Sequence, residues 1–137
     1  MASNDRLALQ YVKTTEGVTI EVEVGFLPQQ SSPARSIYGH VYHITIHNLR
    51  DHPIRLLRRN WAVENALGGI SLVEGEGVIG QQPVIQPGGH FHYSSWTHVS
   101  TVIGKMSGAY TMMDLEGGTF FQAEVPEFLL IYPPVLN

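Results

Sequence analysis

From Val18 to Phe26 the chain reads Val-Thr-Ile-Glu-Val-Glu-Val-Gly-Phe, with Val18, Ile20, Val22, Val24 and Phe26 in one phase and Thr19, Glu21 and Glu23 in the other. Side chains alternate between the two faces of a strand, so this pattern specifies a strand with one dry and one wet face. The same period returns between Tyr38 and Asn48, where Tyr42, Ile44 and Ile46 alternate with His43, Thr45 and His47. Further strands are expected over Ile54 to Glu64, Ile70 to Glu74, His90 to Ser95, Met106 to Asp114 and Thr119 to Val125. Pro126 is expected to stop the last of these before a final apolar piece, FLLIY, and the Pro- and Ser-rich LPQQSSP is expected to be irregular. No window of ten residues keeps helical spacing. About eight short strands joined by Gly- and Pro-rich turns predict an antiparallel β-sandwich or barrel and exclude βαβ architectures.

At 137 residues and 43% hydrophobic, the chain has the material for one core, so residues 1–137 are expected to form a single domain. It contains no cysteine, which removes disulfides, thiolate zinc sites and thiol nucleophiles. Eight basic against twelve acidic residues give a formal charge of -4, which argues against a nucleic-acid partner. The N-terminal MASNDRLALQYVKTTEG lacks a long apolar core after basic residues, and no run is long enough to cross a bilayer. A cytoplasmic protein with no membrane partner is expected.

Gly75-Glu-Gly-Val-Ile-Gly80 has the G-x-G-x-x-G form of a dinucleotide-binding loop. That use requires a helix directly after the loop, whose N-terminus faces the pyrophosphate. Here QQPVIQPGG follows, and Pro83 and Pro87 forbid a useful helix. Glu74 and Glu76 would also repel a phosphate, so the stretch reads as a strand-to-strand loop whose glycines take positive φ or admit close backbone approach. A nest of backbone N–H groups for an anion is the competing reading.

The loop belongs to a longer string, GEGVIGQQPVIQPGGHFHYSS, accompanied in order by FLPQQSSP from Phe26, the Arg-x-Trp of Arg59 and Trp61, the G-x-M-x-G-x-Y from Gly104 to Tyr110, and the P-x-F from Pro126 to Phe128. Over about residues 10–133 this resembles the ApaG family. The resemblance implies an all-β fold, a fibronectin type III-like or immunoglobulin-like antiparallel β-sandwich of about seven or eight strands. ApaG proteins occur alone in bacteria, often encoded beside a diadenosine tetraphosphate hydrolase, and are linked to cobalt and magnesium tolerance. Related domains in F-box proteins and in a polymerase delta-interacting protein point to protein-protein interaction.

Candidate chemistry is sparse. His90 and His92, two apart on one strand, face the same way about 6 to 7 Å apart and would chelate a transition metal if a neighbouring strand brought a third ligand. His43 and His47, about 13 Å apart, would not share one ion but could complete such a site from an adjacent strand. In a regular strand Arg55 and Arg59 share a face with Leu57, Trp61 and Val63, with Arg58 opposite. Arg59 is expected to bind carbonyls or a carboxylate; Arg58 and Arg59 are also candidates for anion or partner contact. Trp61 is expected in the core. No G-x-S-x-G elbow or metalloprotease motif occurs.

The reading that results is a non-enzymatic protein-protein interaction module without a resident cofactor. Its recognition surface would include Gly75, Glu76, Gly77, Val78, Ile79 and Gly80, and it would meet a protein partner not named by the sequence; self-association is left open. The alternative is a binder of a phosphate-rich nucleotide or pyrophosphate at the Gly75–Gly80 loop, or of divalent cobalt or magnesium.

Overall fold

The computed structural model describes residues 9–133, so the outermost residues of the expected 1–137 domain, including the first eight of the N-terminal segment, lie outside the described residues. Nine strands are described: β1 (Leu9–Thr15), β2 (Val18–Ser32), β3 (Ile37–Asn48), β4 (Ile54–Asn65), β5 (Ile70–Glu76), β6 (Val84–Ile85), β7 (His90–Val99), β8 (Ile103–Asp114) and β9 (Phe120–Ile131). They form two antiparallel sheets. The first has the order β1-β2-β3-β7 and the second β5-β4-β8-β9, with β6 also on β4. Among the described residues no helix is long and apolar enough to cross a membrane.

The alternation predicted for β2 and β3 is what the sandwich uses. Val18, Ile20, Val22 and Val24 are buried against the inner face of the other sheet, as are Tyr42, Ile44 and Ile46. Trp61 lies in the core as expected, its ring 5.5 Å from Tyr42 and 6.1 Å from Phe128.

Four departures from the sequence reading share a cause: extended backbone tolerates local irregularity without ending. LPQQSSP continues β2 to Ser32, because a register shift between Leu27 and Ser32 absorbs the excess residues and Ser31 Oγ accepts a hydrogen bond from Gly39 N, 2.7 Å away. Pro126 lies inside β9 where the register to β8 also shifts, so its missing N–H costs no ladder bond and FLLIY is part of the same strand. A third shift, between Leu56 and Arg58, changes the phase of β4: Ile54 and Leu56 point inward, then Arg59, Trp61 and Val63 do. Arg55 is therefore exposed and does not share a face with Arg59. Finally, β5 extends to Glu76, so the glycine stretch begins as strand, and β1 and β6 join the count.

Candidate functional site

The glycine stretch holds the guanidinium of Arg59. Gly75 lies directly across from Arg59 in the β4–β5 pair, and a Cβ built there would fall 2.8 Å from Arg59 Nη1 and Nη2. The bare backbone lets the arginine lie over it and donate from Nη1 to the carbonyls of Glu76 and Gly77, at 3.1 and 2.9 Å. The loop amides are partly engaged as well: Gly77 N donates to Leu57 O at 2.8 Å, and Val78 N to Gln81 O at 2.8 Å. Gly77 and Gly80 have φ of 66° and 77°, where a side chain would be strained. Ile79 also has a positive φ, 44°, unusual for a β-branched residue. Val78 is 1% exposed and plugs the sandwich end, whereas Ile79, 55% exposed, projects from the tip.

Behind Arg59 the interior is polar. Tyr93 and Tyr110 share a buried hydroxyl–hydroxyl hydrogen bond of 2.6 Å. Burial pushes both phenols up, with the Arg59 charge acting in the opposite direction, so the pair stays protonated at ordinary pH.

The histidines gather on the outer face of the first sheet. In the β3–β7 register His47 stands opposite His90 and Thr45 opposite His92. The His43 and His92 rings are stacked at 6.4 Å, and the His47 and His90 rings are 5.9 Å apart. β3 thus supplies the neighbouring imidazoles that a site at His90 and His92 would need. Several ring nitrogens are already occupied: His43 Nδ1 bonds Ser94 Oγ at 2.5 Å, His92 Nδ1 bonds Thr45 Oγ1 at 3.0 Å, and His47 Nε2 bonds Glu21 Oε1 at 2.9 Å. Among the described residues no three His, Asp or Glu side chains converge as metal ligands. An open depression of about 540 Å³ borders this face, between Gln10, Val12, Glu21, Glu23, His43 and His92.

The surface least expected from sequence is β5. Every residue of Ile70–Glu76 is exposed or half-exposed, including Ile70 at 58%, Leu72 at 73% and Val73 at 44%. The strand is hydrogen-bonded on one side, to β4, and ends the sheet on the other. Nothing in ISLVEGE announces this except what is missing, since it has no Lys or Pro of the kind that guards a sheet edge.

A family model described as ApaG domain matches residues 28–114. The chain belongs to the ApaG family. It is 44% identical to Protein ApaG of Proteus mirabilis over 124 residues, covering 90% of this chain and 98% of that protein. It is 42% identical to Protein ApaG of Dechloromonas aromatica over 82% of this chain and 87% of that one. A crystal structure described as the putative ApaA protein from Bordetella pertussis superposes with a TM-score of 0.81 at 32% identity, over 93% of this chain and 99% of that one. The matched residues include both Gly75 and Arg59, whose guanidinium occupies the space the glycine's missing side chain leaves.

Proposed function

We propose that this ApaG-family chain is a non-enzymatic protein-interaction module that binds its partner along β5 and the tip of the glycine loop. The observation that carries the reading is the exposure of Ile70, Leu72 and Val73 on a strand that leads within a few residues to the exposed Ile79. Apolar side chains grouped on an uncovered strand mark recognition surfaces. The phosphate reading of the same loop is disfavoured on electrostatic grounds. Its carbonyls face a cation the protein already supplies, two of its amides are taken, and Glu74 and Glu76 stand beside it.

A photoreactive residue placed at Leu72 or at Ile79 in the native host should cross-link to a discrete protein partner, and the same residue at Gln122 on β9 should not. Leu72→Asp with Ile79→Asp, shown to be folded by its NMR spectrum, should lose that partner. Unchanged capture by the double variant would reject the surface. Saturable calorimetric heat with pyrophosphate, diadenosine tetraphosphate or cobalt that Gly77→Ala or His92→Ala removes would favour a small-ligand role instead.

A further inference from the structure

The β4–β5 register fixes which backbone groups of β5 face the open edge. Asn65 N donates to Gly69 O at 2.9 Å and Gly77 N to Leu57 O at 2.8 Å. Arg58 is paired with Glu76 and Glu64 with Ile70, without a register shift between. In an antiparallel pair hydrogen-bonded and non-bonded positions alternate, so Ser71, Val73 and Gly75 exchange bonds with β4 while the N–H and C=O of Ile70, Leu72 and Glu74 point outward, followed by the N–H of Glu76, whose carbonyl already accepts from Arg59 Nη1. The same four residues carry their side chains on the outer face, opposite in phase to the inward Trp61 and Val63. The open edge therefore presents a regular ladder of donors and acceptors, apolar at one end and acidic at the other. No ion pair is formed by Glu74 or Glu76 among the described residues.

Resting on the proposed function, we infer that this edge accepts an extended segment of a partner protein as an added strand, with apolar residues beside Ile70 and Leu72 and Lys or Arg beside Glu74 and Glu76. Main-chain bonds would supply affinity and the alternating side chains specificity. A second copy of this chain is the poorer occupant, because another ISLVEGE brings two more glutamates and no countercharge to the ribbon.

The test uses the full chain and a synthetic peptide in which Val alternates with Thr and one end carries Lys, read by amide shifts and hydrogen exchange. Saturating peptide should slow exchange at Ile70, Leu72, Glu74 and Glu76 by about tenfold or more, since each amide gains a bonded partner. Exchanging the peptide's Lys for Glu should weaken binding about fivefold, and Glu74→Lys with Glu76→Lys should restore the Glu peptide over the Lys peptide. Leu72→Pro, which removes an outward N–H without touching a β4 bond, should abolish the protection. Protection confined to another edge, no shifts at millimolar peptide, or β5 protection in the free chain that grows with its own concentration would each overturn the added strand. A partner cross-linked through Ile79 whose binding leaves those four amides unprotected would overturn it too, while the interaction role survived.

Discussion

β9 and β5 are the two edges of one sheet, and both are rich in apolar residues, yet they are finished in opposite ways. β9 buries Ala123, Val125, Phe128 and Leu130 and is covered from the other sheet by β1 and β2. Its outward backbone is met by side chains of β1: Thr15 Oγ1 accepts from Glu124 N at 2.9 Å, and Tyr11 OH accepts from Leu129 N at 3.1 Å. Lys13 pairs with Glu124 at 2.5 Å, and Pro126 interrupts the ladder at a register shift. β5 has no covering strand, no Pro and no register shift, and its two charges, Glu74 and Glu76, stand at one end. Natural sheets guard their edges with charge, Pro, bulges or a covering segment, and here one edge carries all four while its counterpart carries no Lys, Pro or bulge. β1, which buries little of its own, acts chiefly as the cover for β9. Leaving β5 uncovered is thus not a general feature of the sandwich but a local one.

If β9 is structural and β5 is not, deletion of side-chain bulk should separate them most sharply. Phe128→Ala, at a fully buried site touching Tyr42 and Trp61, should cost about 3 to 5 kcal/mol in denaturant unfolding. Leu72→Ala on β5 should stay within about 0.5 kcal/mol. Comparable losses at both positions would dissolve the contrast.

Acid should attack the closed side. His40 on β3 is 1% exposed, and neither ring nitrogen has a hydrogen-bond partner among the described residues. Its ring lies 6.1 Å from Phe26, which meets Tyr132 just beyond β9 at 4.5 Å. Burial pushes the imidazole from 6.5 down to about 4. Between those values the unfolded chain binds the proton and the folded chain does not, so stability falls as pH drops from 6.5 towards 4 and levels off below it. At about 1.4 kcal/mol per pH unit the loss is on the order of 3 kcal/mol. His40→Leu should flatten the stability curve in that window. Asp114 contributes separately: backbone bonds from Glu116 and Gly117, with Arg50 and His52 beside it, hold its carboxyl below 3.8 against the opposing effect of burial. Its share is therefore lost only at still lower pH, and the two effects are resolvable. A His40→Leu curve that tracks the parent between pH 6.5 and 4 would remove His40 from the account.

β2 and β3 were legible in the sequence because each has one face in the core and one in water, which writes a period of two into Val18 to Val24 and Tyr42 to Ile46. His40 shares the phase of Tyr42 and is buried with it, but it has no assignment in the sequence reading, because among the histidines of this strand only His43 and His47 fall on the wet face. Bulges were not legible. One residue near Leu57 reverses the phase of β4, and no side-chain pattern distinguishes that from a regular strand. The carbonyl-binding role expected of Arg59 proved correct, although its partners at Glu76 and Gly77 could come only from the register that sets Gly75 opposite it. β5 was the least legible part of the site. Ile70 to Glu74 reads only as a strand, because apolar sequence reports a preference for burial, while the tertiary arrangement determines whether a covering surface arrives.

The smallest effect tests whether β1 is a cover and not merely a neighbour. Tyr11→Phe and Thr15→Val each remove one hydroxyl acceptor and keep nearly the same shape, leaving Leu129 N or Glu124 N without its side-chain partner. Each should cost about 1 kcal/mol. The more telling readout is association, because the double variant would turn β9 into a second edge with unmatched amides facing outward. Sedimentation should then show a concentration-dependent species absent from the parent, and faster exchange at Glu124 and Leu129 should accompany it. If the double variant loses stability but stays monomeric with those two amides still protected, the hydroxyls merely pack, and the different fates of the two edges must rest on Lys13 and the bulge at Pro126.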